Sequence, residues 1–220
     1  MRRVRWQQAC RIVPTRYPAV TLFDRVADAA DFDALYALEA MTNERARDEL
    51  GEVERVPPVD RVYGPGSGPI MAAFTHVNVL GSRFSVGDYG VFYAARDRAT
   101  AVAETRHHHG RFLAATKQPA MHLPMRLYHV AIDARLHDLR SAGSVVAAVY
   151  DRDDYGAAQA LGRRLHTAGS AGVAYRSVRH ERGQCVGLFR PRGASHCLHA
   201  AYLLYAWDGE RFSDVYEKTE

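Results

Sequence analysis

The sequence predicts an α+β fold with a mainly antiparallel sheet and flanking helices. Segments with helix-like and strand-like patterns follow one another in an irregular order, which argues against the βαβ alternation of a doubly wound sheet. The chain has 220 residues, 47% of them hydrophobic, and is long enough to bury a sizeable core without disulfide bonds. It contains no internal repeat, heptad pattern or low-complexity run. Together these observations predict one globular domain.

The helices are predicted from apolar spacing and from signals at their ends. Gly51, with prolines beyond it, ends the first helix, and Gly169 ends the last. Thr100 is the predicted N-cap of the middle helix, whose first turn closes near Glu104. Residues 70–77 are apolar enough for either a short helix or a buried strand. The predicted helices cover residues 31–50, 101–113 and 155–168.

Strands are predicted where short apolar runs lie beside turn residues. The run at 90–95 follows the turn-rich stretch 87–90. A Pro- and Gly-rich cluster at 56–69 is the clearest break in the chain. The predicted strands cover residues 90–95, 125–132, 173–177 and 184–189.

Composition excludes membrane-spanning and disulfide-stabilised classes. The longest run without a formal charge, residues 62–82, is interrupted by glycines, prolines, a histidine and an asparagine, so no membrane span is predicted. The basic N-terminus has no apolar stretch behind it because Arg11 and Arg16 interrupt the sequence there. Three scattered cysteines do not form a disulfide framework or a metal-binding pair. We therefore expect a cytoplasmic protein with reduced thiols.

The basic residues are almost all arginines. The net charge is +4, and Lys117 and Lys218 are the only lysines. Arginine binds phosphates through two parallel hydrogen bonds, so the bias fits a phosphate-bearing small ligand as well as nucleic acid. The arginines are spread among acidic residues, whereas a nucleic-acid-binding surface gathers them in a stripe with aromatic residues. The basic balance alone does not choose between these two ligands.

Two conspicuous groups of residues lack the spacing that catalytic motifs need. His107, His108 and His109 are adjacent, and successive helical residues point about 100° apart, so they do not converge on one metal ion. We predict a partly buried or exposed helix face there and no metal site. No phosphate-loop or GxSxG motif occurs, so Ser177 has no local support as a nucleophile.

One stretch combines an arginine, an aromatic strand and a carboxylate. Arg83 lies in a turn, Tyr93 lies in the predicted strand, and Glu104 lies at the start of an Ala-rich helix. A strand and helix packed together with an ordinary surface carboxylate would give the same spacing. The pattern alone therefore leaves the structural and the functional interpretation open.

Five short blocks occur in a fixed order along the chain. They are Cys10-Arg11-Ile12-Val13, Ser82-Arg83-Phe84, Phe92-Tyr93-Ala94-Ala95, Ala101-Val102-Ala103-Glu104 and Tyr175-Arg176-Ser177. This order resembles the RES domain family, which is named after a recurring Arg, Glu and Ser. The run from 81 to 108 carries the strongest likeness, and the five blocks together are far more specific than any one of them.

The chain also departs from the family pattern. The turn has Ser82 and Phe84 where the family has Gly and Trp, and Cys10 stands where an aromatic residue precedes the first Arg. Arg16 competes with Arg11 for the role of that first arginine. About fifty residues around 24–80 exceed the compact form of the family. We therefore predict a single RES-like domain over 1–220 with an elaborated N-terminal segment at about 24–80.

The resemblance implies a fold and an activity. The implied fold is similar to ADP-ribosyltransferases, with small antiparallel sheets and flanking helices. The implied substrate is NAD, with no separate cofactor, and the implied activity is that of a toxin that cleaves the nicotinamide–ribose bond by hydrolysis or phosphorolysis. The implied partner is an Xre-type antitoxin that blocks the site, and contact with nucleic acid is implied only indirectly, through that antitoxin.

The resemblance also implies roles for particular residues. Glu104, Arg83 and Ser177 would be catalytic. Breaking the nicotinamide–ribose bond develops an oxocarbenium ion, which a carboxylate such as Glu104 can stabilise. Arg83 and Arg11 would bind the diphosphate, Tyr93 would contact the nicotinamide ribose, and Ser177 would position the nicotinamide amide or the acceptor. Arg179, Tyr89 and His108 lie close to these residues in the sequence, and we assign them no role.

Two other functions share these residues. A mono-ADP-ribosyltransferase would make the same first step and pass ADP-ribose to a protein side chain. A non-catalytic nucleotide-binding protein would keep the fold and leave NAD intact. Release of nicotinamide separates the binding protein from the enzymes, and mass spectrometry of cellular proteins separates the two enzymes.

Overall fold

The structure is a computed structural model that describes residues 1–17, 20–42, 50–141 and 143–218. In this part of the chain seven strands form one sheet in the order β1-β2-β5-β4-β3-β6-β7, and β1 also pairs with β3. All pairings are antiparallel except that between β3 and β4. The strands are β1 (Arg2–Pro14), β2 (Phe92–Ala95), β3 (Met121–Asp138), β4 (Gly172–Arg176), β5 (Gln184–Leu188), β6 (Ala194–Trp207) and β7 (Phe212–Glu217).

Helices of ordinary length flank the sheet. Gly169, with φ +74°, follows the last of them, as the sequence predicts for a helix end. None of the helices in the described ranges is long and apolar enough to cross a membrane. The helices are α1 (Ala29–Thr42), α2 (Gly68–Thr75), α3 (Arg98–Ala115) and α4 (Gly156–Thr167).

The predicted α+β class and mainly antiparallel sheet are confirmed. Residues 70–75 of the ambiguous segment 70–77 are helical as part of α2, because the apolar side chains on this short helix pack into the core. The helix predicted over 31–50 is present as α1, and its predicted continuation over 43–49 lies outside the described residues. The strands form one sheet instead of several small ones, because the long strand β3 pairs with β1, β4 and β6.

Two parts of the prediction are corrected by the structure. The N-cap of α3 is Asp97 and not Thr100, because the Asp97 carboxylate accepts the Thr100 main-chain N–H at 2.8 Å and Thr100 already lies in the first turn. Strands β1, β6 and β7 were not predicted. Their many exposed polar and charged residues hide the apolar alternation that marks a strand.

The sheet separates two clusters of buried residues. The first cluster lies between the sheet and the segment before β2, and it includes Phe23 stacked on Phe32 with ring centroids 4.7 Å apart. The second cluster includes Phe84, Tyr175 and residues of α3 and α4. Successive strand residues contribute to opposite clusters, as expected for a sheet covered on both faces. The candidate site lies on the face of the second cluster.

Candidate active site

The base of the candidate site consists of neighbouring residues from β2, β5 and β4. Ala95 pairs with Cys185, and Cys185 pairs with Tyr175, so the three side chains lie in a row on the face of the second cluster. Burial raises the pKa of the Tyr175 hydroxyl and of the Cys185 thiol well above their ordinary values, and the nearby Glu104 carboxylate adds to both shifts. Both groups therefore remain uncharged at neutral pH.

Ser177 holds the Glu104 carboxylate next to this base. The Ser177 hydroxyl donates to Glu104 Oε1 at 2.6 Å. The same hydroxyl oxygen accepts the main-chain N–H groups of Arg179 at 3.0 Å and His180 at 2.9 Å. Because these two donors fix the oxygen, its proton is directed at the carboxylate. Within the described ranges Glu104 Oε2 has no hydrogen bond, so one carboxylate oxygen is fixed and the other is open to a ligand.

The start of α3 is tied to the loop that follows β4. Thr100, which is fully buried, donates its hydroxyl proton to Asp97 at 2.9 Å and lies 2.8 Å from His180 Nδ1. Gly183 packs directly against this threonine, since a Cβ at Gly183 would lie 2.8 Å from Thr100 Oγ1. Glu104 follows Thr100 by four residues on the same side of the helix. The contact therefore fixes the distance between Glu104 and the Ser177 loop.

Tyr93 supports the turn that carries Arg83. Its hydroxyl lies 2.9 Å from Ser82 Oγ and accepts the Phe84 main-chain N–H at 3.0 Å. Burial raises the pKa of Tyr93 to about 12. Residues on both sides of Arg83 are thus anchored to one phenol, which holds the turn in place. The predicted contact between Tyr93 and a ribose stays a prediction.

Arg83 is buried, with 7% of its surface exposed, against segment 149–155. Its Nη1 donates to the carbonyl oxygens of Val149 at 3.1 Å and Asp151 at 2.9 Å. The guanidinium lies over the Tyr155 ring, 4.4 Å from the centroid. Its Nη2 is buried and finds no hydrogen-bond partner in the described part of the chain. The ring of the adjacent Phe84 packs edge-on against Tyr175 with centroids 5.1 Å apart, so Arg83 lies near the base of the site, and its hydrogen-bond donors are only partly used.

The structure does not bring Arg11 or Arg16 to Glu104. Arg11 points away from the second cluster, to which its neighbours in β1 belong, and its guanidinium lies 4.4 Å from the Phe92 centroid on the other face. Arg11 Nη1 donates to the Tyr93 carbonyl oxygen at 2.9 Å, and burial lowers its pKa. Arg16 is exposed and contacts Tyr17. Binding of phosphate by Arg11 or Arg16 stays a prediction.

Two residues to which sequence reasoning gave no role border the site. Arg179 has a side chain that is 7% exposed, and its main-chain N–H binds Ser177 as described above. His107 follows Glu104 by one turn of α3, and its Nε2 is buried without a hydrogen-bond partner among the described residues. Burial, followed by the charge of Arg179, lowers the pKa of His107 to about 4, so the ring is neutral at pH 7. The closeness of Arg179 to Ser177 and of His107 to Glu104 in the sequence is the signal by which sequence analysis could have found these two residues.

The histidine triple forms a helix face, as its spacing predicts. His107 and His109 are partly buried and His108 is exposed. No cluster of three or more metal-ligating side chains occurs within the described residues. Of the remaining candidates, Tyr89 donates its hydroxyl proton to the Phe84 carbonyl oxygen at 2.5 Å, and its ring stacks on that of His166 with centroids 3.9 Å apart.

Comparison with models of known families identifies the family of this chain. A model of the RES domain matches residues 58–208, which is more than half of the chain. The chain belongs to the RES domain family. The match contains Arg83, Tyr93, Glu104 and Ser177, and it leaves out Arg11 and Arg16.

Two known proteins are similar to this RES domain chain. One is "Uncharacterized protein y4oC" of Sinorhizobium fredii (strain NBRC 101917 / NGR234), 26% identical over 208 residues, which are 94% of this chain and 85% of that protein. The other is a chain in the crystal structure of the M. tuberculosis MbcT-MbcA toxin-antitoxin complex. It is 12% identical with a TM-score of 0.45, over 99% of this chain and 87% of that one.

Proposed function

We propose that this RES domain protein cleaves the bond between nicotinamide and ribose in NAD and acts as the toxin of a toxin-antitoxin pair. The observation that carries the proposal is the Glu104 carboxylate, held through Oε1 by a 2.6 Å hydrogen bond from Ser177 while Oε2 is open. Family membership supports the substrate, because residues of the resemblance that implied NAD lie inside the matched region.

The carboxylate has the chemistry that the step needs. The C1′–N bond breaks with its electron pair going to the nicotinamide nitrogen, which is cationic in NAD and leaves neutral. Water then forms a bond to C1′ and releases a proton to solvent, or an anionic oxygen of phosphate forms that bond instead. Positive charge develops on the ribose in the transition state, and a carboxylate nearby stabilises that charge more than it stabilises the bound substrate. Because nicotinamide leaves uncharged, the step needs no strong general acid.

Ser177 and Tyr93 act in this proposal mainly on their neighbours. The Ser177 hydroxyl uses its proton on Glu104 and its oxygen on two main-chain N–H groups, so it orients the carboxylate. Tyr93 keeps the turn of Arg83 in position. Arg83 carries the positive charge that a diphosphate needs. A charge-assisted hydrogen bond from such a group contributes about 1.5–3 kcal/mol.

The decisive measurement is release of nicotinamide from NAD by purified protein, followed by chromatography with and without phosphate. The active-site variant is Glu104→Gln, which keeps the size of the side chain and removes its charge. We expect release by the wild type and a loss of about a hundredfold or more in the variant, since the carboxylate acts on charge that appears in the transition state. The matched control is Glu181→Gln, because Glu181 has a side chain that is 91% exposed.

The outcomes separate the functions. Release that depends on Glu104 and yields free ADP-ribose or its phosphorylated form supports the proposal. ADP-ribose attached to a cellular protein indicates a mono-ADP-ribosyltransferase instead. NAD that binds and stays intact, with phosphate and without it, refutes cleavage and indicates a binding protein.

The proposed toxin role has its own test. Expression of the chain alone should slow bacterial growth and lower cellular NAD, and Glu104→Gln should do neither. Co-expression with the product of an adjacent gene of Xre type should restore growth. Growth that is unaffected by the wild-type chain at a measured high level of soluble protein would contradict the toxin role.

A further inference from the structure

The loop between β4 and β5 carries the groups that hold the Ser177 hydroxyl. The main-chain N–H groups of Arg179 and His180 donate to Ser177 Oγ at 3.0 and 2.9 Å. The Gly183 N–H donates to the His180 carbonyl oxygen at 3.1 Å, which closes a turn over residues 180–183. The tip of this turn is open to solvent, since the side chain of Arg182 is 93% exposed. The direction of the Ser177 proton therefore depends on how this loop is anchored to the rest of the protein.

The side chains that anchor the loop to α3 are those of Ser177 and His180. In the part of the chain that the structure describes, these are the side chains of segment 177–183 that hydrogen-bond to α3. His180 Nδ1 lies 2.8 Å from the hydroxyl oxygen of Thr100, which is fully buried. Thr100 precedes Glu104 by about one helical turn, so both contacts lie on the same side of the helix. The His180 ring therefore fixes the loop relative to the helix that carries the carboxylate.

The surroundings of the Thr100 hydroxyl determine the direction of its contact with His180. Thr100 Oγ1 lies 2.9 Å from both oxygens of the Asp97 carboxylate, and a carboxylate only accepts hydrogen bonds. The single hydroxyl proton is therefore directed at Asp97, because oxygens at that distance without a proton between them repel each other. Thr100 Oγ1 then has only lone pairs to offer, so His180 Nδ1 is the donor and carries a proton.

We propose that His180 is a positioning residue of this site: its Nδ1–H, donated to Thr100, holds the loop so that the Ser177 proton is directed at the carboxylate. The hydrogen bonds that connect the cap of α3 to the carboxylate run, in order, through Asp97, Thr100, His180, Ser177 and Glu104. This inference rests on the proposed function and adds to that site a residue that acts through Ser177. Loss of the His180 donor should lower kcat and leave KM for NAD unchanged, because the charge of Glu104 remains.

The first test compares two amides at position 180 in steady-state release of nicotinamide. The Nδ2 donor of asparagine lies at the same place along the side chain as histidine Nδ1, whereas the Nε2 donor of glutamine lies one bond further out. We expect His180→Asn to keep kcat within about twofold and His180→Gln to lower it by about fivefold or more, with KM unchanged in both. Glu181→Gln is the matched control, because Glu181 lies in the same turn with a side chain that is 91% exposed.

A second background separates positioning from a merely structural role. In Ser177→Ala, the further change His180→Gln should leave kcat where Ser177→Ala alone puts it, because the hydroxyl through which His180 acts is absent. A merely structural histidine would lower kcat by the same factor with and without the Ser177 hydroxyl, and that result overturns the proposal.

The protonation of the ring has a measurement of its own. NMR correlation of ring nitrogens with ring protons, in protein made with isotope-labelled histidine, shows whether Nδ1 carries a proton. The chain has 11 histidines, and the signal of His180 is the one that disappears in His180→Asn. We expect a protonated Nδ1, and an unprotonated Nδ1 overturns the proposal.

Thermal unfolding of each variant checks that it is folded. If His180→Gln does not fold, Thr100→Val takes its place, because it removes the acceptor and keeps the size of the side chain; an unchanged kcat there overturns the proposal. Equal kcat in folded His180→Asn and His180→Gln also overturns it, while release of nicotinamide by the wild type leaves the proposed function standing. No release by the wild type overturns the proposed function, and the role of His180 falls with it.

Discussion

The two charged parts of the site differ in how completely the protein satisfies them. The carboxylate of Glu104 has one oxygen fixed by Ser177, whose own oxygen accepts two main-chain N–H groups. The guanidinium groups of Arg83 and Arg179 bind carbonyl oxygens and keep buried N–H groups without partners in the described part of the chain. In the proposed reaction the negative group is therefore fixed before substrate binds, whereas the positive groups have hydrogen-bond donors that the described residues leave unused.

The two regions are suited to different tasks in the proposed reaction. A group that acts on charge developing in the transition state gains most from being fixed before substrate binds. A group that binds a charge present in the substrate gains from unused hydrogen-bond donors. Substitutions around Glu104 should therefore lower kcat, and substitutions around Arg83 should raise KM.

After Glu104→Gln, the largest effect is expected from a substitution of Arg83. Arg83→Gln should raise KM for NAD by about tenfold or more, because it removes a charge-assisted contact to the diphosphate. Steady-state nicotinamide release over a range of NAD concentrations measures it. An unchanged KM would remove Arg83 from diphosphate binding. Arg192→Gln, at an exposed arginine away from the described site residues, is the control.

A smaller effect is expected from a substitution of Ser177, which orients the Glu104 carboxylate. Ser177→Ala should lower kcat by about tenfold and leave KM nearly unchanged, because it frees the carboxylate without removing its charge. Single-turnover kinetics with saturating NAD measures the chemical step directly. A rise in KM at constant kcat would mean that Ser177 contacts the substrate and does not mainly orient Glu104. Ser213→Ala, at an exposed serine on β7, is the control.

Asp97, the N-cap residue of α3, affects the position of the Glu104 carboxylate indirectly, through the start of the helix. Asp97→Ala removes the acceptor of the Thr100 main-chain and hydroxyl donors, and we expect a loss of about 1 kcal/mol in the free energy of unfolding. Urea denaturation measures it, with Asp214→Ala as the exposed control. We also expect kcat to fall and ADP-ribose affinity to persist, since the arginines are held by another segment. Equal losses in kcat and in ADP-ribose affinity would show that the two regions are not independent.

The last expected effect concerns the dependence of stability on pH. The pKa of His107 in the folded protein is about 4, below the ordinary value of about 6.5, because burial and the charge of Arg179 disfavour the protonated ring. Between these two values the unfolded chain binds more protons than the folded one, so stability falls as pH drops from about 6.5 to 4 and then stops changing on this account. His107→Gln should reduce the difference in unfolding free energy between pH 7 and pH 5. His122→Gln, at an exposed histidine on β3, should leave it unchanged.

Local patterns in the sequence were sufficient for the short central elements of the fold. The apolar runs at 173–177 and 184–189 correspond to β4 and β5, and the run at 90–95 contains β2. These strands are buried, so their composition signals them directly. β1 and β6 are long, with many exposed polar residues, and their strand character depends on pairing with β3. Such pairing is a property of distant residues and leaves little local trace.

The sequence by itself determined the family and the residue types of the site, because the blocks containing Arg83, Tyr93, Glu104 and Ser177 occur in a recognisable order. Only the tertiary structure decided which of these touch. It joined Ser177 to Glu104 across 73 residues and turned Arg11 to the other face of the sheet. It also brought Arg179 to the segment that binds Arg83. The physical reason is that strand alternation and loop packing set the direction of a side chain, and both depend on partners far away in the chain.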